Sequence, residues 1–323
     1  MALEEPQVFG VKEAITDKGG YRQINKALNI CAFDDYLKSQ IRGLAQILPI
    51  QQLSPRILRI LGQNPGKFTL QGTNTFIVGT GTFRILIDTS GGEPEYAVLL
   101  ASALAERGII LKYVLITHWH GDHSGGAPDL LRLYPHLQGH IYKNQPEPDQ
   151  QGLEDGQTFK VEGATVTCVH APGHSEDHMC FVLEEENAMF TGDNMLGVGT
   201  TAVENLATYM SSLEKMASKR CITGHPGHGP TINNLPAKIQ AELATKRSRE
   251  DKISTTLRQL QQRSRTGLSV GDLVTEMYGV AMDAKMRALV LEPLVDEILR
   301  KLAVDGRVRF ESRCGLKRWF CLP

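Results

Sequence analysis

The sequence predicts an α/β protein in which two sheets pack face to face under outer helices. Three observations lead there. Short β-branched runs cluster in two stretches, residues 56–135 and 157–230, and each stretch is interrupted by helical periodicity. Histidines and aspartates collect at the ends of those runs. Residues 236–323 then change to long, charged helical patterns and a final alternating pair. The expected divisions are a helical leader over 1–53, a catalytic domain over 54–235 and a helical C-terminal region over 236–323.

In the leader, YRQINKALNI and FDDYLKSQIRGLAQIL carry apolar residues at mixed three- and four-residue steps, and Pro49 and Pro55 punctuate the exit. RILRILG, NTFIVGT and FRILIDT then read as consecutive strands separated by Gly, Pro or Asn. GGEPEYAVLLASALAERG reads as a helix, with Pro94 in its first turn and Gly108 at its end. KYVLITH is a buried strand and APDLLRLYP a short helix. QTFKV, ATVTCVHAPG, HMCFVLEEE and NAMFTGD alternate as strands. LATYMSSLEKMAS is helical, and RCITGHPGHGP is a strand running into a loop.

The C-terminal region begins with a long charged helix over 236–263, followed by a turn and helix in TGLSVGDLVTEMYG. In VLEPLVDEILRKLAVDGRV, residues Leu294, Val295, Ile298, Leu299 and Leu302 share a face. GRVRFESRCGLKRWFCL alternates like a hairpin. Helix–helix–hairpin is a winged-helix outline, yet the second helix carries the mixed set Asp296, Glu297, Arg300 and Lys301. A phosphate-binding face would be clearly basic, so this region reads as a structural or interaction surface.

Composition excludes several classes. The 323 residues carry 35 basic and 36 acidic side chains, a net charge of −1, which argues against coating nucleic acid through a general positive field. At 6% aromatic, the chain offers few base-stacking platforms. No apolar run approaches the ~18–20 residues of a membrane span. The acidic start MALEEPQVFG lacks the features of a secretory signal, so a cytoplasmic protein is expected. Cysteines 31, 168, 180, 221, 314 and 321 form no C-x-x-C pair and read as reduced, mostly buried thiols.

One segment is far more informative than the rest. THWHGDHSGG, residues 117–126, directly follows the buried strand KYVLI. His118 and His120 are two apart on an extended exit, so both rings can point the same way. Asp122 and His123 lie in the following turn and can face a second position. Three histidines and an aspartate within six residues would make an expensive core, because buried polar groups need partners. Further candidates recur at strand ends: His174 in APGHS, Asp193 in FTGDN and His228 in GHPGHGP. Glycine and proline around each give tight loops.

This set resembles the metallo-β-lactamase superfamily, with its HxHxDH motif and later His, Asp and His. The resemblance implies an αββα sandwich. It also implies that His118, His120 and His174 hold one metal, that Asp122, His123 and His228 hold another, and that Asp193 bridges them. His225 is the near neighbour that the family pattern passes over, and it reads as a supporting or structural residue. His136 and His140 read as surface residues and His170 as a supporting one, while His178 is either a neighbour of the site or simple packing. The all-N/O donor set suits Zn²⁺ and also Mn²⁺ or Fe²⁺.

The segment GQNPGKFTLQGTNTFIVGTG, residues 62–81, is similar to a lactamase-β-like branch whose members carry NPG…LQGTNTYLVG. The leader, especially GGYRQINKALNICAFDDYL, resembles the fungal members that act beside non-reducing polyketide synthases. Those are thioesterases of the atrochrysone carboxyl acyl-carrier-protein type. The implied reaction is release of a polyketide from an acyl carrier protein, by hydrolysis or Claisen-type cyclisation. The implied partners are that carrier domain and its polyketide thioester. The chemistry agrees, because a thiol leaving group with a pKa near ~8.5 needs little help to depart, and paired divalent ions activate water. Asp122 is the candidate proton carrier, with a ligand-only role as its alternative.

The rival reading is a single-strand endoribonuclease, known among animal relatives of this branch. It would draw on the basic run Lys246, Arg247, Arg249 and Lys252, which Glu250 and Asp251 interrupt. The same run is the densest basic surface available to an acidic carrier protein. A non-catalytic partner of the synthase would be signalled by lost ligands, and none is lost. An exported β-lactamase would need a signal.

Overall fold

The computed structural model describes residues 43–263, 267–280, 283–313 and 316–322. The expected helix over 21–30, most of that over 33–48, Cys31 and Cys314 lie outside them. Where the second of these helices reaches the described residues, the expectation is corrected: 43–48 is irregular, and β1 (Ile50–Ser54) is a strand. Tertiary pairing decides this. Ile50 sits opposite Ile60, and Leu61 donates its N–H to Pro49 O at 2.8 Å, so the segment closes a sheet edge.

The first sheet runs in sequence order. It comprises β1, β2 (Ile57–Leu61), β3 (Asn74–Val78), β4 (Phe83–Ile87), β5 (Ile110–Ile116), β6 (Ile141–Lys143) and β7 (Gln151–Gly152). Its first four strands are antiparallel, and pairing turns parallel from β4 onward. Helix α1 (Pro94–Arg107) makes the first parallel crossover and stops at Gly108, whose φ of 60° is left-handed. Between β5 and β6 lie α2 (Gly121–Ser124) and α3 (Ala127–Leu133). The second sheet has five strands: β8 (Thr158–Val161), β9 (Ala164–His170), β10 (Met179–Leu183), β11 (Ala188–Gly192) and β12 (Thr223–Pro226). Helix α4 (Leu206–Ser218) crosses from β11 to its parallel neighbour β12, and the Asn205 side chain caps its first turn.

Strand alternation builds the layers. On β2, β3 and β4, residues Ile57, Phe76, Val78, Ile85 and Ile87 face the second sheet. There they meet Val166, Cys168, Phe181 and Phe190. Their neighbours Leu58, Ile60, Ile77 and Leu86 point the other way, onto Tyr96, Leu100 and Leu104 of α1 and Leu130 of α3. The outer face of the second sheet is covered by α4 and by α5 (Leu235–Arg263). Helix, sheet, sheet and helix therefore stack in that order, as the sequence predicts.

The C-terminal region shares that outer core. Helices α5, α6 (Val270–Tyr278) and α7 (Glu292–Val304) bury Leu243, Leu257, Leu273, Val295, Ile298, Leu299 and Leu302 in one cluster with Leu213 of α4. The hairpin of β13 (Val308–Arg313) and β14 (Leu316–Cys321) adds a buried Trp319. Cys168, Cys180 and Cys221 are buried free thiols, which burial raises to about 12, 12 and 11, so they are inert at neutral pH.

The basic run on α5 does not form one free face. Lys246 is buried, pairs with Glu242 at 2.9 Å and lies over the Tyr209 ring. Arg247 pairs with Glu214 at 2.7 Å, and Lys252 sits over the Tyr278 ring. On α7, Arg300 pairs with Asp296 and Lys301 with Glu250 and Asp305. No helix among the described residues is long and apolar enough to cross a membrane.

Candidate metal centre

Strand ends from both sheets deliver the site. His118 and His120 follow β5, Asp122 and His123 sit in α2, His174 follows β9, Asp193 follows β11 and His228 follows β12. The structure brings all seven together. His118 Nε2 and His120 Nδ1 are 2.8 Å apart, and His174 Nε2 lies 3.2 and 3.0 Å from them. Next to this trio, His228 Nε2 is 3.3 Å from His123 Nε2 and 3.1 Å from Asp122 Oδ2. Asp193 reaches both groups: Oδ2 is 3.7 Å from His174 Nε2 and 3.4 Å from His228 Nε2, and Oδ1 is 3.4 Å from His123 Nε2.

These spacings fit metal ligation. Four ligands at ~2.0–2.1 Å from a tetrahedral ion stand about 3.3 Å apart. The three imidazoles of the first group converge with Nε2, Nδ1 and Nε2 inward, an arrangement with too few protons to be a hydrogen-bond network of neutral rings. Among the described residues three overlapping groups could each hold an ion: His118, His120 and His174; His118, His123 and Asp193; and Asp122, His123 and His228. Zinc, manganese and iron all accept such donors.

The electrostatics have the same origin. Burial, aided by the neighbouring histidines, pushes His118 well below the usual imidazole range, and burial chiefly drives His120 down to about 3. Burial also opposes a charge on His228, but Asp193 and Asp122 outweigh it and raise the ring to about 9. Conversely, His123 and His228 overcome burial to hold Asp122 down to about 2. The carboxylates thus demand nearby positive charge, which divalent ions supply.

Supporting contacts fix the rings. Thr117 Oγ1 lies 2.9 Å from His118 Nδ1. His174 Nδ1 is 2.8 Å from Ala202 O and 2.9 Å from Thr201 Oγ1. Asp88, at the end of β4, lies 2.8 Å from His123 Nδ1 and accepts the Thr117 N–H at 2.8 Å. His178 accepts the Asp193 N–H at Nε2, 3.1 Å away, so it neighbours the site. His225 stands outside it, packed against the Phe76 and Phe190 rings. The site also needs space that only glycine leaves: a Cβ on Gly227 would come within 2.6 Å of both Asp193 and His123.

Asp88, Thr117 and Thr201 were not among the residues expected from sequence. Asp88 had a signal of the same kind as the ligands, an acid at a strand exit in ILIDTSGG. Thr117 and Thr201 had none, because a hydroxyl that steadies an imidazole has no characteristic spacing.

Asp122 is the only one of the seven whose side chain keeps substantial contact with solvent, at 29% exposure. Half-buried Trp119 leans against His120, with ring centroids 4.5 Å apart. The centre is thus closed on the protein side and open where Asp122 stands.

Comparison with known proteins places these features. Residues 68–228 match the family model of the metallo-β-lactamase superfamily, a span that includes all seven residues. An atrochrysone carboxyl ACP thioesterase of Pseudocercospora fijiensis is 61% identical, over 95% of this chain and 92% of its own length. A protein of the same name from Claviceps purpurea is 60% identical, over 94% of this chain and 98% of its own. A β-lactamase domain protein of Burkholderia ambifaria, 17% identical, superposes with a TM-score of 0.67 over 86% of this chain and 96% of its own, which bears on fold alone. The chain belongs to the metallo-β-lactamase superfamily, within the branch of the fungal atrochrysone carboxyl ACP thioesterases.

Proposed function

We propose that this chain is a metal-dependent thioesterase that frees an aromatic polyketide from the acyl carrier protein of a non-reducing polyketide synthase in the cytoplasm. The observation that carries the reading is a complete His/Asp ligand set in a chain 61% identical, almost end to end, to a relative named for acyl-carrier thioesterase activity. His118, His120 and His174 would hold one divalent ion, and Asp122, His123 and His228 the other, with Asp193 between them. Zn²⁺ is the proposed occupant, with Mn²⁺ and Fe²⁺ as the other candidates. Residues 54–235 would carry the chemistry, and 236–323 would brace it.

When bound, the ions polarise the thioester carbonyl and acidify a water molecule. The protein's own part is orientation and proton handling. Asp88 fixes His123, Thr117 steadies His118, and the Thr201–Ala202 segment steadies His174. Asp122, at the open side, is placed to accept the proton of the attacking water and return it to the departing thiolate. The acyl–sulfur bond breaks, the acyl carbon gains the water oxygen, and the carrier thiol leaves protonated.

The endoribonuclease alternative loses part of its support, since two of the four basic residues on α5, Lys246 and Arg247, are engaged in ion pairs and Lys246 is buried. The test sets acyl-loaded carrier protein beside single-stranded RNA under matched metals. Release of free acid or cyclised product, with RNA left intact, is expected. RNA cleavage without discharge of the carrier would overturn the reading.

A further inference from the structure

The segment LQGTNTFIVG holds a residue whose role the metal ligands do not explain. Asn74 is buried at the start of β3, in the first sheet, opposite the turn that carries His228 at the end of β12, in the second sheet. Its side-chain Nδ2 donates to Pro226 O at 2.9 Å and to Gly229 O at 2.8 Å. Its backbone N–H donates to Gly227 O at 2.7 Å. The remaining carbonyl of the turn, His228 O, accepts the Gly197 N–H at 2.9 Å. One asparagine thus satisfies three of the four carbonyls from 226 to 229.

The turn needs such restraint. Gly227 and Gly229 flank the histidine, and Gly229 stands at φ +82°, a left-handed conformation. Glycine is required at Gly227, because a Cβ there would collide with Asp193 and His123. It is also the residue with most backbone freedom to lose. The chain that presents His228 therefore has little stiffness of its own. Two acceptors fix the amide orientation with nitrogen toward the turn. The other end of the amide, Oδ1, is buried without a hydrogen-bond partner, so the side chain serves here through its two donors.

We infer that Asn74 is a positioning residue for the metal centre: it clamps the Pro226–Gly229 turn across the two sheets and so sets His228 against Asp122 and His123. The inference rests on the metal-centre reading above. Its consequence is asymmetric. The cluster of Asp122, His123 and His228 depends on the clamp, whereas that of His118, His120 and His174 hangs from other strand ends.

The test is stepwise Co²⁺ and Zn²⁺ titration of the apoprotein, read by Co²⁺ absorption and by competition with a chromophoric chelator. Wild type should show two steps. Asn74→Ala should weaken one step by about 10–100-fold, the usual scale for lost support around a metal ligand, and leave the other within about two-fold. Asn74→Asp keeps the shape but has no donors, so it should do the same and serves if the alanine variant does not fold. Thr75→Val is the control: that hydroxyl donates to Ile60 O on the neighbouring strand, away from the turn, and both steps should persist. Two unchanged steps in both Asn74 variants, or equal weakening of both steps, would overturn the clamp. A wild type that binds fewer than two ions would instead overturn the metal-centre reading itself.

Discussion

Asp88 Oδ2 lies 2.8 Å from His123 Nδ1, and both side chains are buried. That contact places the ring proton on Nδ1 and leaves Nε2 to face Asp193 and His228. The same carboxylate accepts from the Thr117 N–H and Oγ1, so both oxygens are engaged. Asp88 itself stands at φ 61°, a conformation that asparagine also tolerates.

Asp88→Asn therefore tests electrostatics with little backbone strain. An amide has one oxygen, so its NH₂ must confront either the His123 N–H or the Thr117 N–H. Metal affinity should fall about 10–100-fold, with the folded state retained. Chelator competition measures the first and circular dichroism the second. Native affinity would show that His123 is oriented by something else.

Asp122→Asn alters both a metal ligand and the proton carrier, so its turnover is read on protein reconstituted with metal. The variant keeps an oxygen toward His228 but cannot take up a proton. Turnover of acyl-loaded carrier should drop by at least ~100-fold, the scale of lost acid–base catalysis, at full metal content by elemental analysis. Near-native turnover at full metal content would leave Asp122 a ligand only.

The order of the sandwich and the seven convergent residues were legible because both follow from short-range pattern. Alternation over 56–62 and 74–80 gives two faces, and a ligand at a strand exit announces itself by residue type. The described end of the leader was not legible. Apolar spacing in residues 43–48 suits a helix, but pairing of Ile50 with Ile60 turns the chain into a sheet edge. Helical spacing does put Lys246 on the stripe of Ile239, Leu243, Ile253 and Leu257, but its residue type hid that the charge turns inward to Glu242 and the Tyr209 ring. Asn74 was visible only as one letter of a branch signature, because its partners are about 150 residues away.

His225 should behave unlike His228 in two ways. Replacing it with asparagine should leave metal content intact, whereas His228→Ala should lose metal. It should also flatten the acid side of the stability profile. Burial, helped by Arg59, pushes His225 down to about 4, below the 6.5 of an unfolded chain. The unfolded state therefore binds the proton more readily. The stability at stake is fully present above pH 6.5 and lost as pH falls through 4, an effect of roughly 3 kcal/mol. Urea unfolding of the metal-free proteins between pH 7 and 4 should show a shallower decline for His225→Asn. Parallel declines would mean that the ring is protonated in both states alike.

Lys143 and Asp177 form an ion pair at 3.1 Å with side chains only 3% and 1% exposed. It joins the end of β6 in the first sheet to the loop that follows His174. The pair is well satisfied: the Lys143 ammonium also donates to Asn144 O and Gln145 O, and Asp177 Oδ1 accepts the Ser175 hydroxyl. Coulomb attraction here must offset the loss of two hydration shells, so the intact pair adds little net stability. A broken pair is different, because the survivor is left charged and dry. Lys143→Met should cost about 3–5 kcal/mol. Adding Asp177→Leu should recover most of that, since two apolar side chains need no counter-charge. Denaturant unfolding of wild type, both single variants and the double variant gives the cycle. A double variant no more stable than Lys143→Met alone would show that the two charges are not coupled, and that the loop after His174 is held by its backbone contacts instead.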